Sequence, residues 1–267
     1  MSTETANQSE WLKSNYELRM DANLDIHPQV RRDFHLDRYK FAKNYCQDKR
    51  VLDGACGTGY GSAVLSETAQ DVVGIDCAND AVNYANATYA NEKTHFQKEF
   101  VESTPFQSDS FDVVVSFETI EHTLCPKSHM MEIARLLEPK NGRAILSVPN
   151  AWGLTDHHFI DFDFDLFKEY LDQFFGKYDL FYQNPATHPK LPGIGPLTSS
   201  SPDDAQCLLA VCQEPNKKIV TSDRYNHVMD EIYQIAFTRH HDYLTLAYKQ
   251  HTSLFRRAYN KLRTLSR

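Results

Sequence analysis

Two stretches of this sequence carry residue types and spacings that could do chemistry. The first is Asp53-Gly54-Ala55-Cys56-Gly57-Thr58-Gly59-Tyr60-Gly61, followed by an acid at Asp76. Glycines let a backbone turn tightly and approach a ligand with no Cβ in the way. A helix beginning just after such a turn offers free N–H groups and a positive dipole end. A dinucleotide fingerprint would need Gly where Ser62 stands, and a Walker loop would need G-K-[ST]; neither is present. The second stretch is Glu118-Thr119-Ile120-Glu121-His122. In one helical turn, Glu118 and Glu121 would share a face, with His122 at i+4 from Glu118. Such a set could hold a divalent ion, Mg²⁺ or Zn²⁺, with a further ligand from Asp156-His157-His158. The same residues also fit a metal-free site in which His122 acts alone as a base, or packs.

The surrounding pattern supplies elements that could position both stretches. Strands are expected at Arg50 to Asp53, Asp71 to Asp76, Thr94 to Lys98, Phe111 to Phe117 and Arg143 to Val148. The run Phe111 to Phe117 is largely apolar around Val113-Val114-Val115, as a strand covered on both faces should be. Helices are expected from Ser62, over Asp80 to Asn91, over Ser128 to Leu137, and from Phe164 to about Phe175. Strand-helix alternation implies a mostly parallel sheet with right-handed crossovers. Two further strands fit Tyr178 to Gln183 and Gln206 to Cys212, giving seven. Between them, Asn184 to Asp204 is rich in Pro, Gly and Ser and reads as a long loop.

With these elements in order, VLDGACGTGYG followed by Asp76 resembles the class I S-adenosylmethionine (SAM)-dependent methyltransferase family. The resemblance continues through His95 to Phe106, Ser110 to Glu118 and LLEPKNGRAILSVPN. It implies a Rossmann-like α/β fold with SAM as cofactor. Asp53, Gly54, Cys56, Gly57 and Gly59 would hold its methionine part and Asp76 its ribose, with Ala55 and Cys77 counted among the cofactor-binding residues. Two oxygens of one carboxylate suit two vicinal hydroxyls. Glu99 and Phe100 would lie near the adenine, and Phe117 and Tyr60 could flank the cofactor. Ala55 departs from the family pattern, where Gly is common.

The chain lacks the [DN]-P-P-[YFW] of many amino-group methyltransferases, which favours an oxygen nucleophile. Glu118-x-x-Glu121-His122 with His158 resembles two metal-using O-methyltransferase groups, one acting on ubiquinone precursors and one on the 2′-hydroxyl of small RNAs. The catalytic set implied is His122, Glu118 and Glu121, and the metal set Glu118, Glu121, His122 and His158. A small-molecule or glycan hydroxyl is the leading acceptor. RNA 2′-O-methylation and a non-catalytic SAM-binding scaffold are the alternatives. Asp161-Phe162-Asp163-Phe164-Asp165 reads as a capping run with core phenylalanines.

Length and composition set the frame. The 267 residues, 41% hydrophobic, suit one large globular domain. The expected division is an N-terminal helical lid over 1–45, a methyltransferase domain over 46–215 and a helical extension over 216–267. A net charge of −8 argues against nucleic acid as a partner. The basic run Arg256, Arg257, Lys261, Arg263 and Arg267 is the exception; it reads as a solvated tail or a contact with an anionic partner. His240-His241 reads as surface, and the apolar residues from Ile232 to Leu254 could pack on this chain or in a homodimer. Six cysteines with no CxxC pair, a polar N-terminus and no apolar run of about 18 residues point to a cytoplasmic protein without a transmembrane segment.

Overall fold

A computed structural model describes residues 10–15, 19–123, 125–155, 157–198 and 202–220. The expectations for the basic tail, His240-His241 and the apolar residues beyond 220 lie outside the described residues. Helix α1 covers 10–14 and α2 covers Gln29–Lys43. The chain then runs β1 (Arg50–Gly54), α3 (Tyr60–Ser66), β2 (Asp71–Asp76), α4 (Asn79–Tyr89), β3 (Thr94–Lys98) and β4 (Val113–Phe117). A 3₁₀ turn, Ile120–His122, precedes α5 (Pro126–Leu136), β5 (Arg143–Pro149) and α6 (Phe164–Phe174). The last elements are β6 (Phe175–Asn184), β7 (Gly193–Pro196), β8 (Cys207–Pro215) and α7 (Lys217–Val220).

The strands form one sheet in the order β3-β2-β1-β4-β5-β8-β6-β7. The first five pair in parallel, and β8 inserts antiparallel between β5 and β6. The Rossmann-like α/β expectation holds, but among the described residues the sheet has eight strands, not seven. The eighth, β7, comes from the stretch expected to be all loop. Its residues Gly193 to Pro196 pair with the far end of the long strand β6. An edge strand needs hydrogen bonds on one side only, so its Gly and Pro are tolerated there.

Alternation along each strand divides the core. Leu52, Val114 and Leu146 face α5 and α6, where they meet Met130, Ile133, Phe167 and Leu171. Val51, Val113, Val115 and Ile145 face α2 and α3, where they meet Tyr39, Ala42 and Leu65. Each fully buried Leu or Phe contributes about 1.5–3 kcal/mol, so both faces are firmly covered. This covering fixes the parallel strands with their carboxyl ends along one edge, where residues 53–54, 76, 98, 117 and 149 emerge. Cys207, paired with Pro149, brings the start of β8 to that edge too. No helix among the described residues is long and apolar enough to cross a membrane.

Candidate active site

The Gly-rich turn leaves β1 at Gly54 and enters α3 through three left-handed residues, Ala55 (φ 61°), Gly57 (φ 57°) and Gly59 (φ 85°). A Cβ on Gly59 would come within 2.8 Å of Ala85 and Phe96, so glycine is required there by space as well as by φ. Ala55 holds the same kind of conformation with a methyl group, at some strain. The Cys56 N–H donates to the Ile75 carbonyl (2.8 Å), tying the turn to β2.

Asp53 is fully buried beneath this turn. It accepts from the Ser62 hydroxyl at 2.6 Å and from the Tyr39 hydroxyl at 3.4 Å. Burial pushes its carboxyl up to about 7, against the pull of those two hydrogen bonds. Asp76 accepts from the backbone N–H of Gly57 (3.1 Å) and of Ala78 (2.9 Å), and the Arg19 guanidinium lies 3.7 Å away. The segment around Arg19 crosses the turn, because Thr58 donates its hydroxyl proton to the Met20 carbonyl (2.7 Å). Asp21, next in the chain, is pinned by the hydroxyls of Tyr84 and Tyr89 on α4.

The sequence-based cofactor set is therefore brought together around Asp53, Gly54, Cys56, Gly57, Gly59 and Asp76. Glu99 follows β3, with its N–H on the Asp76 carbonyl (3.2 Å), and Phe100 is 61% exposed at the rim. Cys77 is exposed beside Asp76. Phe117 instead packs edge-on against Tyr39, centroids 5.1 Å apart. Arg19, Tyr39 and Ser62 were missed as site residues. Ser62 carried a signal, since it stands where a dinucleotide fingerprint has its third glycine. Arg19 carried none.

The second stretch departs from expectation. Glu118, Glu121 and His122 do not form one helical turn, because Glu118 leaves β4 in the left-handed region (φ 48°). Its side chain turns to the buried Arg38 of α2, 3.1 Å away, and accepts from the Ser147 hydroxyl at 2.8 Å. Cys207 Sγ lies 3.6 Å from its other oxygen. Burial alone would lower the Arg38 value, but the Glu118 charge beside it raises it, so Arg38 stays a cation. Glu118 thus belongs to an ion pair and not to the potential metal cluster, which corrects its placement among the ligands.

The remaining ligands do converge. Metal-binding atoms of Glu121, His122 and His158 all lie within 4.8 Å of one another. Glu121 is fully buried, and neither carboxylate oxygen has a hydrogen-bond partner outside its own residue among the described residues. Burial, reinforced by the charge of Glu118, holds its carboxyl well above the usual range. His122 Nδ1 meets the His157 carbonyl at 2.6 Å. A carbonyl only accepts, so this nitrogen carries the proton and Nε2 is left with its lone pair, 3.8 Å from Glu121. Burial lowers both His122 and His158, keeping the imidazoles neutral at physiological pH. The Phe159 N–H bonds the Glu121 carbonyl (2.8 Å), which pins the 157–159 segment to the 3₁₀ turn. Asp156 lies outside the described residues.

This geometry has known counterparts. Residues 52–146 match a family described as a methyltransferase domain. That match, with the relatives that follow, supports a place for this stretch in the class I SAM-dependent methyltransferase family. A "probable S-adenosylmethionine-dependent methyltransferase" of Mycolicibacterium smegmatis is 30% identical over 112 residues, 42% of each chain. A ubiquinone biosynthesis O-methyltransferase of Rickettsia bellii is 28% identical over 123 residues, covering 45% of this chain and 50% of that one. The chain spans half or less of the length of these curated relatives. Among solved structures, the YcgJ protein of Bacillus subtilis aligns over 67% of this chain and 99% of its own, with a TM-score of 0.51 at 18% identity. A TehB-like SAM-dependent methyltransferase of Corynebacterium glutamicum aligns over 79% and 99%, with a TM-score of 0.53 at 18% identity. Both likenesses speak to the fold alone.

Proposed function

We propose that this chain transfers the methyl group of SAM to an oxygen of a small-molecule or glycan acceptor. The observation that carries the choice of oxygen is the group Glu121, His122 and His158, set just beyond β4 and β5 at the same sheet edge as the Gly-rich turn. The ubiquinone O-methyltransferase relatives support the same chemistry.

Asp53 and Asp76 divide the cofactor between them. The Asp76 carboxylate suits the ribose diol, and Arg19 and the Gly57 N–H already surround it. Asp53 underlies the turn that would hold the methionine end, where an α-ammonium would favour its charged form. In methyl transfer to oxygen the C–S bond breaks as the O–C bond forms, and the hydroxyl proton must leave. With no ion bound, His122 Nε2, neutral and with its tautomer fixed by the His157 carbonyl, can receive that proton; an ion on Nε2 would take its place in activating the hydroxyl.

The same three side chains fit a divalent ion. Glu121 has two buried oxygens without partners, His122 presents a bare Nε2, and its second nitrogen is fixed by a carbonyl, as metal-bound histidines usually are. One carboxylate and two imidazoles suit Zn²⁺ better than Mg²⁺. When bound, such an ion lowers the pKa of an acceptor hydroxyl and neutralises the charge on Glu121.

Calorimetry with SAM and S-adenosylhomocysteine, with and without Zn²⁺, tests the reading. Micromolar binding that weakens at least about tenfold in Asp76→Ala, a loss of about 1.4 kcal/mol, would support it. Absence of binding by either ligand in the wild-type protein would refute it.

A further inference from the structure

The loop after β5 does more than carry His158. Trp152 is 48% exposed, yet its ring is hydrogen-bonded in place. Its indole N–H donates to the Gln206 carbonyl at 2.9 Å. The residues on either side both adopt left-handed backbone, Ala151 at φ 54° and Gly153 at φ 85°. Ala151 donates to the Phe162 carbonyl (2.6 Å), and Gly153 donates to the Asp161 carboxylate (2.8 Å). One strained non-glycine residue and three hydrogen bonds thus keep a large apolar ring in water. Strain of this kind persists where surrounding structure enforces it, and it concentrates at functional sites. The indole lies nearly parallel to the His158 ring (interplanar angle 29°, centroids 6.5 Å apart), and His158 in turn meets His122 at 4.8 Å.

We infer that Trp152 is the stacking platform of the acceptor site and that the acceptor ring it receives is a sugar. The inference rests on the oxygen-methylation reading above. The platform offers one fixed apolar face beside a polar group made of His158, His122 and Asp161. A pyranose has that complement, with an apolar C–H face to lie on indole and a rim of hydroxyls to meet imidazole and carboxylate. A phenolic ring is apolar on both faces and is best served by an enclosed slot. Among the described residues, the ring stacked near the Trp152 indole is that of His158, and 48% of Trp152 is exposed. Stacking would also set which hydroxyl reaches His122, so Trp152 is a specificity-determining residue and takes no part in bond making.

The sequence has two tryptophans, Trp11 and Trp152. In a Trp11→Phe variant of the full chain, Trp152 is the sole indole. Its emission is titrated with methyl glucoside, methyl mannoside and methyl rhamnoside, and separately with catechol. A saturable blue shift with a glycoside, at millimolar concentration, is the expected result. Saturation-transfer NMR on the wild-type protein should show strongest transfer to protons of one sugar face, reduced about tenfold in Trp152→Ala. A saturable response to catechol alone would overturn the sugar assignment. No saturable response to any probe, or transfer unchanged in Trp152→Ala, would overturn the platform. Calorimetry with S-adenosylhomocysteine separates the two readings. If Trp152→Ala binds it normally while glycosides fail on the wild type, the platform falls and the methyltransferase reading stands. If the wild type binds glycosides but no S-adenosylhomocysteine, the reverse holds.

Discussion

The cofactor end and the acceptor end of the sheet edge are built in different ways. At the cofactor end, one contiguous turn places Asp53, Gly57 and Gly59, and a single partner strand adds Asp76. At the acceptor end, Arg38 comes from α2, Glu118 and Glu121 from the end of β4, Ser147 from β5, His158 from the loop after it, and Cys207 from β8. The first site is local in sequence and uses backbone shape. The second is assembled from distant segments and uses buried charge. A local site can be conserved as a motif, whereas an assembled one depends on the whole fold being in register.

The sharpest way to break that contrast is Glu118→Ala. It leaves Arg38 as a buried cation without its partner, and about 3–5 kcal/mol of stability should be lost. Urea unfolding checks this; a loss under 1 kcal/mol would show that the pair does not hold the acceptor end together. Glu121→Gln should behave differently, although it lies three residues away. Its fold should persist, because Glu121 makes no ion pair with Arg38 and satisfies no donor outside its own residue. What it should lose is stabilisation of the wild type by Zn²⁺, which at saturating ion is on the order of 2–3 kcal/mol. Equal melting-temperature shifts in both proteins would remove the metal from the reading.

Asp53 tests the cofactor end through pH. Its folded value, about 7, lies above the usual 3.8, so the folded state holds this proton more tightly than the unfolded state. The resulting stability is present below about pH 4 and is lost as pH rises through 7. Asp53→Asn should flatten that decline and be more stable than wild type at pH 8, on the order of 1–3 kcal/mol. It should also bind SAM more weakly, and wild-type SAM binding below pH 7 should release a proton, visible by calorimetry in two buffers. The smallest effect belongs to Ala55→Gly. Relieving one left-handed non-glycine residue should stabilise the turn by about 0.5 kcal/mol, after glycine's entropic cost. Destabilisation by that change would mean that the methyl group makes a contact of its own.

How legible each end was in the sequence follows from the same contrast. The parallel strands were readable because DVVGID and the run to Phe117 must be apolar on both faces, and the turn was readable because left-handed backbone selects glycine. Strand β7 was hidden because Gly193-Ile194-Gly195-Pro196 has no alternating pattern; its pairing comes from the length of β6. The helical reading of Glu118 to His122 failed because spacing says nothing of a non-glycine residue with positive φ. Arg38 sat in an amphipathic helical pattern that gave no sign of its partner some 80 positions away. His158, by contrast, was singled out by the resemblance from a stretch placed after β5, and it does join His122 and Glu121.

Strand β8 carries one more consequence, for the order of folding. Among the described residues it is the last strand, yet it lies between β5 and β6. During synthesis, β1 to β5 can pair as they emerge, but β6 and β7 have no sheet to join until residues 207–215 arrive. Until then β5 is an open edge, presenting the unpaired backbone groups of Ala144 to Pro149. Such an edge is a template for pairing with another chain. The interval before β8 docks is therefore the time at which this protein is most exposed to aggregation, and closing that edge also delivers Cys207 to Glu118. The acceptor end is completed in the same event that seals the sheet.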